Sequence, residues 1–518
     1  MTATMLEDRR TVWVIAAVSF LLFLIGNLPW QLDDYDQAKQ AFTSFQMIKE
    51  GRWFYQQTPH EHVATKPPLV GWVSAGLFGL TQSWELSWRL PSLFAAIALA
   101  IFLFRAASSA YGPIAGLTAL GAFGLNLLSP RLATLVRTDM PLALMIFLIG
   151  VLIWKKIREG TEWRLRDQIY VFALLTIAML IKGPIVYAFL LPGIVLNVVA
   201  VALWATRSPP TARRLQNAWP GWWPWVASLT VFLLWVTGGI LFQPGFFEEV
   251  VMREFVGRFG ETIHRPQPLY FYLPHLLHKF APWSVLIIGI ALVDLHSQKW
   301  RLRSGIRDMP SDTLWLLCWS VGGLILMSLI PSKRVDRIFP IIPPLCLLLG
   351  AQIARLVACS HGFVSRSSTS DDVGLTSHRP VATENAKRIY RWAAATLVLS
   401  ILFTGGYTIS KVISGYRYQR NALAIFGREV RREAAAHRWR YEVVSARDEG
   451  LLLYLQRTHF IEPDHAVAEW NGGKLDALIA STEKASGLIP QLVGAALSQL
   501  KSNERKKEHG TSYVLITR

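Results

Sequence analysis

Thr11 to Leu32 reads TVWVIAAVSFLLFLIGNLPWQL, twenty-two residues without a charge, and the chain passes from it directly into Asp33-Asp34-Tyr35-Asp36. A run of that length matches the roughly 20 apolar residues that a helix needs to cross a hydrocarbon core. It is longer than the apolar centre of a secretory signal, and no small-residue cleavage pattern follows, so it reads as a retained first span. Outward from it the same pattern recurs near 88–106, 113–129, 139–154, 168–181, 184–205, 222–243, 282–296, 313–330, 338–357 and 392–413. The chain is therefore an α-helical polytopic membrane protein, with about 11–13 transmembrane helices expected. The 168–181 run is short for an upright span. Pro68–Leu80 would rise only ~20 Å as a helix, which suits a half-buried or interfacial segment.

Composition agrees. Of 518 residues 52% are hydrophobic and only 17% charged, against about 25% charged in soluble proteins. The net charge of +18 resides in loops between spans. Orientation and anionic lipid account for it there, and no nucleic-acid partner is implied. Cys318, Cys346 and Cys359 lie in or beside apolar runs at unrelated spacings, giving neither a disulfide framework nor a metal signature. If Pro68–Leu80 does not cross, the basic loops KKIREGTEWRLRD, TRSPPTARRLQ and HSQKWRLRSGIRD all face the cytoplasm. The first loop (31–67), Arg131–Asp139, Lys182, the long loop 244–281 and Pro331–Arg337 then share the outer face.

Residues 358–389 are polar and Ser/Thr-rich and read as a flexible cytoplasmic linker. The transmembrane part is expected over 1–414. Beyond it, 415–518 alternates helical and β-branched runs, as in a small C-terminal α/β extramembrane domain on the periplasmic side. It has no Gly-rich phosphate loop. No internal repeat is evident, which argues against a transporter built from inverted halves.

The ionisable residues that demand a reason lie on the outer face. Read as a helix, DDYDQAKQAFTSFQMIKE places Asp36, Lys39 and Gln40 on one side. Phe42, Phe45 and Ile48 then form an apolar stripe expected to lie along the membrane surface. Lys66 precedes Pro67, which holds it extended; it is either a snorkelling lysine or a ligand for a lipid phosphate. Asp139 opens a span and is either a cap or a functional carboxylate. Lys182 sits at a turn between apolar runs. The long loop mixes Arg258, His264 and Tyr270 with other aromatics, a composition suited to sugars, and Lys333 comes to the same face. Ion-coupled transporters place such groups inside their spans, whereas here the spans are nearly free of charge. Fixed cations stabilise a departing phosphate and a carboxylate can take an acceptor's proton.

At these residues the chain resembles the aminoarabinose (lipid A) transferase and protein O-mannosyltransferase group, polytopic GT-C glycosyltransferases that use polyprenyl-phosphate sugars. KPPL, RLPSLF, VRTDMPL, KGP, HRPQPLYFYLPHLLHKFAPWS and PSKRVDRIFPIIPPL occur in the family's order between about Asp33 and Leu349. The resemblance implies a GT-C-like fold and a bacterial inner-membrane enzyme with its active site on the periplasmic face. It implies catalytic roles for Asp36 and Asp139, and donor phosphate binding by Lys39, Lys66, Lys182 and Arg258. His264, Tyr270 and Lys333 are candidate substrate contacts. Asp36 would deprotonate or orient an acceptor hydroxyl while the lysines neutralise the departing phosphate, inverting the anomeric centre. Asp33 and Asp34 read as solvated caps.

Two departures from the pattern stand out. Gln37 replaces the Glu that often follows the first-loop Asp, and Thr65 replaces a metal-binding Glu before the lysine. No metal site is carried over, no cofactor is required, and His60 and His62 read as loop polarity. The partners implied are a polyprenyl-phosphate-linked sugar, membrane lipids, and an envelope acceptor that is lipid, glycan or protein. The alternatives are a polytopic lipid flippase or transporter without transferase activity, and a non-catalytic scaffold.

Overall fold

The computed structural model describes residues 8–32, 35–204, 218–258, 266–297, 309–365, 384–446, 448–498, 500 and 512–518. Helices run in the order α1 (Arg9–Ile25), α2 (Tyr35–Glu50), α3 (Leu69–Thr81), α4 (Trp84–Tyr111), α5 (Pro113–Gly124), α6 (Ser129–Ala133) and α7 (Asp139–Glu159). They continue as α8 (Leu165–Lys182), α9 (Ile185–Trp204), α10 (Trp223–Phe242), α11 (Tyr272–Lys279), α12 (Trp283–Ser297), α13 (Ser311–Leu329), α14 (Ile342–Ser365) and α15 (Glu384–Arg417).

The protein is a multi-pass membrane protein. Seven of the described helices are long and apolar enough to cross a bilayer, and an eighth candidate is α11 with α12, bent by 105° at the break before Trp283. Helices α1 and α5 are shorter, and α8 carries charges at both ends. Among the described residues, seven or eight helices thus pass as spans, against the 11–13 expected. Segment Pro68–Leu80 forms the 13-residue helix α3. Helix α15 has 34 residues, about 51 Å at 1.5 Å each, so it outruns a ~30 Å hydrocarbon core and delivers the chain well beyond it. Of the expected linker 358–389, the ends are helical, belonging to α14 and α15, and 366–383 lie outside the described residues.

Close helix contact inside the bundle depends on small residues. A Cβ on Gly322 of α13 would lie 2.5 Å from the backbone nitrogen of Gly193 in α9, so the two backbones touch. Around that contact Trp315, Trp319, Phe147 and Phe189 fill the core.

After α15 come α16 (Ala422–His437), α17 (Glu449–Leu455), α18 (Pro463–Asn471) and α19 (Thr482–Leu488), with a four-stranded sheet. Strand β1 (Tyr441–Val443) pairs parallel with β2 (Ala477–Ser481); β4 (Tyr513–Thr517) runs antiparallel to both β2 and β3 (Ala496–Leu497), in the order β1-β2-β4-β3. This α/β unit shares a hydrophobic core with α2: Phe42 and Phe45, fully buried, pack in one cluster with Phe426, Leu452 and Leu515. The stripe expected on the membrane surface is therefore buried against protein, and only Ile48 remains exposed. Periodicity identified an apolar face, but not what covers it. The two parts are also pinned directly. The Leu32 backbone N–H donates to the Tyr454 hydroxyl at 2.7 Å. Gly450 is needed beside it, because a Cβ there would collide with the Leu32 carbonyl oxygen.

Candidate active site

A cavity of about 580 Å³ opens where α2, the starts of α7 and Val335–Ile341, the end of α8 and the helix Phe247–Phe255 meet, with α17 closing one wall. Helix α2 contributes Asp36 and Lys39, the following loop Lys66, the head of α7 Asp139 and the end of α8 Lys182. Five candidates read from distant stretches thus share one space. Arg258's side chain and His264, like Asp33 and Asp34, lie outside the described residues. Tyr270 is 65% exposed and is not in the cavity wall. Lys333 is buried but turns away, donating to the Gln267 carbonyl at 2.9 Å; its neighbours Arg334 and Arg337 line the cavity instead.

The partners of these residues differ from a simple ring of lysines. Arg334 donates to Asp36 Oδ2, and Arg137 Nη2 lies 3.3 Å from the same oxygen. Burial works against ionisation of Asp36, but Arg334 and Arg137 outweigh it and hold the carboxyl below its ordinary value. Lys182 Nζ is 2.5 Å from Asp139 Oδ1, with both side chains largely buried. Arg137 also pairs with Asp336 at 2.7 Å, and Arg131 reaches Asp336 from the far side at 3.4 Å. A chain of alternating charge thus runs behind the cavity floor.

Opposite it, the π-helical turn Phe247–Phe255 grips the first loop. Glu254 receives Lys66 at 2.6 Å, while Glu249 accepts from the Val63 backbone at 2.9 Å and meets His62 at 3.1 Å. Lys39 is pushed down from its ordinary value by burial and then by the like charge of Lys66, with Glu254, Glu449 and Glu249 opposing.

Glu449 was invisible to sequence reasoning. It opens α17 more than 400 residues from Asp36, with no motif around it, and enters the cavity because α17 docks on Leu32. It is 4% exposed, and its Oε2 has no hydrogen-bond partner among the described residues. Burial raises its pKa to about 7, against the pull of Lys39 and His62.

The two departures from the family pattern have structural counterparts. Gln37 Oε1 accepts from the Val136 backbone at 3.3 Å, so its side chain braces the loop before Asp139 and does not line this cavity. Thr65 does line it, and among the described residues no group of three His, Cys, Asp or Glu side chains is placed to hold a metal.

Set beside known proteins, residues 65–239 match the family model of dolichyl-phosphate-mannose-protein mannosyltransferases. Over almost its whole length the structure superposes on ArnT from Cupriavidus metallidurans bound to undecaprenyl phosphate, with TM-score 0.67, 97% of each chain covered and 17% identity. The chain shares the fold of that structure, a GT-C fold. It is 27% identical over 355 residues, 65% of this chain, to undecaprenyl phosphate-alpha-4-amino-4-deoxy-L-arabinose arabinosyl transferase 1 of Sodalis glossinidius. The aligned stretch spans 57% of that relative's length. The GT-C fold extends to the oligosaccharyltransferase of Archaeoglobus fulgidus, at TM-score 0.53 and 11% identity over 93% of this chain and 70% of that one.

Proposed function

We propose that this GT-C protein transfers a sugar from a polyprenyl-phosphate donor to an envelope acceptor at the outer face of the bacterial inner membrane. The observation that carries the reading is the meeting of Asp36, Lys39, Lys66, Asp139 and Lys182 in one cavity of the GT-C fold. Undecaprenyl phosphate is the proposed carrier; the arabinosyl transferase relatives are named for it and the Cupriavidus structure holds it. In the reaction the acceptor oxygen attacks the anomeric carbon while its proton passes to Asp36. The bond from that carbon to the phosphate oxygen breaks, and its electron pair leaves on polyprenyl phosphate. Lys39 and Lys66 neutralise that charge. Arg137 and Arg334 orient Asp36 and keep it ionised, and Lys182 does the same for Asp139 at the sugar. Placement on the outer face is supported by α7, with Asp139 at one end and Lys155, Lys156 and Arg158 at the other, since basic ends face the cytoplasm.

The test is transfer from a radiolabelled polyprenyl-phosphate sugar by Asp36→Asn and Lys66→Ala proteins that retain their helicity. Both are expected to fall by about 100-fold or more. Undiminished transfer by both would overturn the assignment, and lipid movement without any transfer would favour a flippase. Mass spectrometry of envelope lipids and glycans from cells with and without the gene then identifies the acceptor as the component that loses one sugar.

A further inference from the structure

Among the described residues six carboxylates line the proposed donor cavity, and five have a basic side chain at ion-pair distance. Asp36 has Arg334, Asp139 has Lys182, Glu249 has His62, Glu254 has Lys66 and Asp336 has Arg137. Glu449 differs. It is 4% exposed, no ion pair reaches it among the described residues, and its Oε2 has no hydrogen-bond partner among them. A buried carboxyl left unmet is costly, yet packing holds it in place. Gly450 closes on the Leu32 carbonyl, and the Leu32 N–H donates to the Tyr454 hydroxyl. The His60 ring, itself in the cavity wall, stacks on Phe460 with 5.0 Å between centroids, and His459 Nε2 meets Glu50 Oε1 at 2.8 Å. Contacts from α2 and the first loop thus seat α17 on the cavity. A polar group held so firmly without a protein partner calls for a reason, and a ligand in the cavity supplies one.

The charged groups that act on Glu449 are Lys39 of α2 and His62 of the first loop, both in the cavity wall. Lys39 is one of the two lysines that the proposed reaction sets against the leaving phosphate. Glu449 therefore stands at the phosphate end of the donor, and the group joined to that phosphate is the sugar. From this we infer that Glu449 holds a ring hydroxyl of the donor's sugar, so that the α/β unit completes the donor site. The inference rests on the transferase reading. A hydroxyl both donates and accepts, as a protonated carboxyl does, so each can satisfy the other. The phosphate is a poorer partner, because its charge would oppose that of Glu449 whenever the carboxyl ionises. Glu449 takes no proton and breaks no bond in this role. It separates loaded carrier from empty carrier: the product, polyprenyl phosphate, still meets the lysines but offers Glu449 no hydroxyl, and is held less tightly than the donor.

The test uses the full chain in phosphatidylcholine nanodiscs at pH 6, below the pKa of about 7 for Glu449. Donor KM and kcat are measured with the radiolabelled polyprenyl-phosphate sugar. The Kd of undecaprenyl phosphate, which carries no sugar, is measured on the same proteins. Glu449→Ala should raise the donor KM about tenfold, the upper worth of one hydrogen bond, and leave the Kd of undecaprenyl phosphate within about twofold. Glu449→Gln, which also donates and accepts, should recover most of the loss. Glu449→Asp withdraws the carboxyl by one methylene and should raise the donor KM about threefold; it reads the same contact if the alanine protein does not fold. A donor KM unchanged in both the Ala and Asp variants, while the wild type transfers, would overturn the contact alone. So would an equal loss toward undecaprenyl phosphate, which is what a merely structural role would give. No transfer by the wild type would instead overturn the transferase reading, and the inference with it.

Discussion

Replacing Glu449 by Gln isolates one carboxyl that the structure sets apart from the others in the cavity. Burial raises its pKa from 4.5 to about 7, and at about 1.4 kcal/mol per unit the shift corresponds to about 3 kcal/mol. Glu449 lines the cavity, so solvent screening discounts that figure and about 3 kcal/mol is its upper bound. A carboxyl whose pKa is raised by folding favours the folded protein in its protonated form. That contribution is complete below about 4.5 and is lost as pH rises through about 7. Wild-type protein should therefore lose stability across this window by up to about 3 kcal/mol relative to Glu449→Gln, which has no proton to release. Thermal unfolding of both proteins, followed by intrinsic fluorescence at pH 5, 6, 7 and 8, reads the difference. The gap should open with pH in favour of Gln. Above pH 7 the ionised Glu449 also sets a negative charge near Lys39, so the KM for the lipid-phosphate donor should rise in the wild type and stay flatter in the variant. Parallel unfolding curves at all four pH values would refute the reasoning, since burial would then not be what governs this group.

Four other substitutions test the cavity and its walls. Glu254→Gln releases Lys66 from its 2.6 Å partner and should tighten polyprenyl-phosphate binding about fivefold, the worth of a partly exposed pair; a titration with the lipid phosphate reads it. Breaking the buried Asp139–Lys182 pair with Lys182→Met alone should cost about 3–5 kcal/mol, and adding Asp139→Asn should recover part of it; a double-mutant cycle on unfolding measures the coupling, and strict additivity would contradict the pairing. Gly450→Ala forces α17 off Leu32 at about 1–3 kcal/mol, and should speed protease cleavage beyond α15 while lowering transfer.

Much of the cavity was legible because its residues announce themselves locally. Asp36 and Lys39 are one helical turn apart on α2, Lys66 is fixed by Pro67, Asp139 opens an apolar helix and Lys182 interrupts one. A charge at the edge of an apolar run is a local signal, and a family motif preserves its order. The partners were not legible. The sequence sets Lys39 on one face with Asp36, yet Arg137 and Arg334 are its ion-pair partners, because pairing depends on how the loop before α7 and the turn before α14 cross. The same limit hid the covering of Phe42 and Phe45, and the position of Glu449 in the cavity wall.

What emerges from those unseen partners changes how the chemistry must run. A cavity lined mainly by lysines would bind a phosphate outright, but here Lys66 is held by Glu254, Lys182 by Asp139 and Arg137 by Asp36 and Asp336. In the proposed reaction a donor phosphate would gain only the difference between its contact with Lys66 and the one Glu254 already makes. That lowers ground-state affinity while leaving each cation oriented for the moment when negative charge builds on the leaving oxygen, the point at which stabilisation accelerates a reaction. Balanced charge also explains why the site is assembled from both parts of the chain. The bundle brings most of the cations, and α17 adds Glu449, a carboxyl whose ionisation burial displaces to about pH 7.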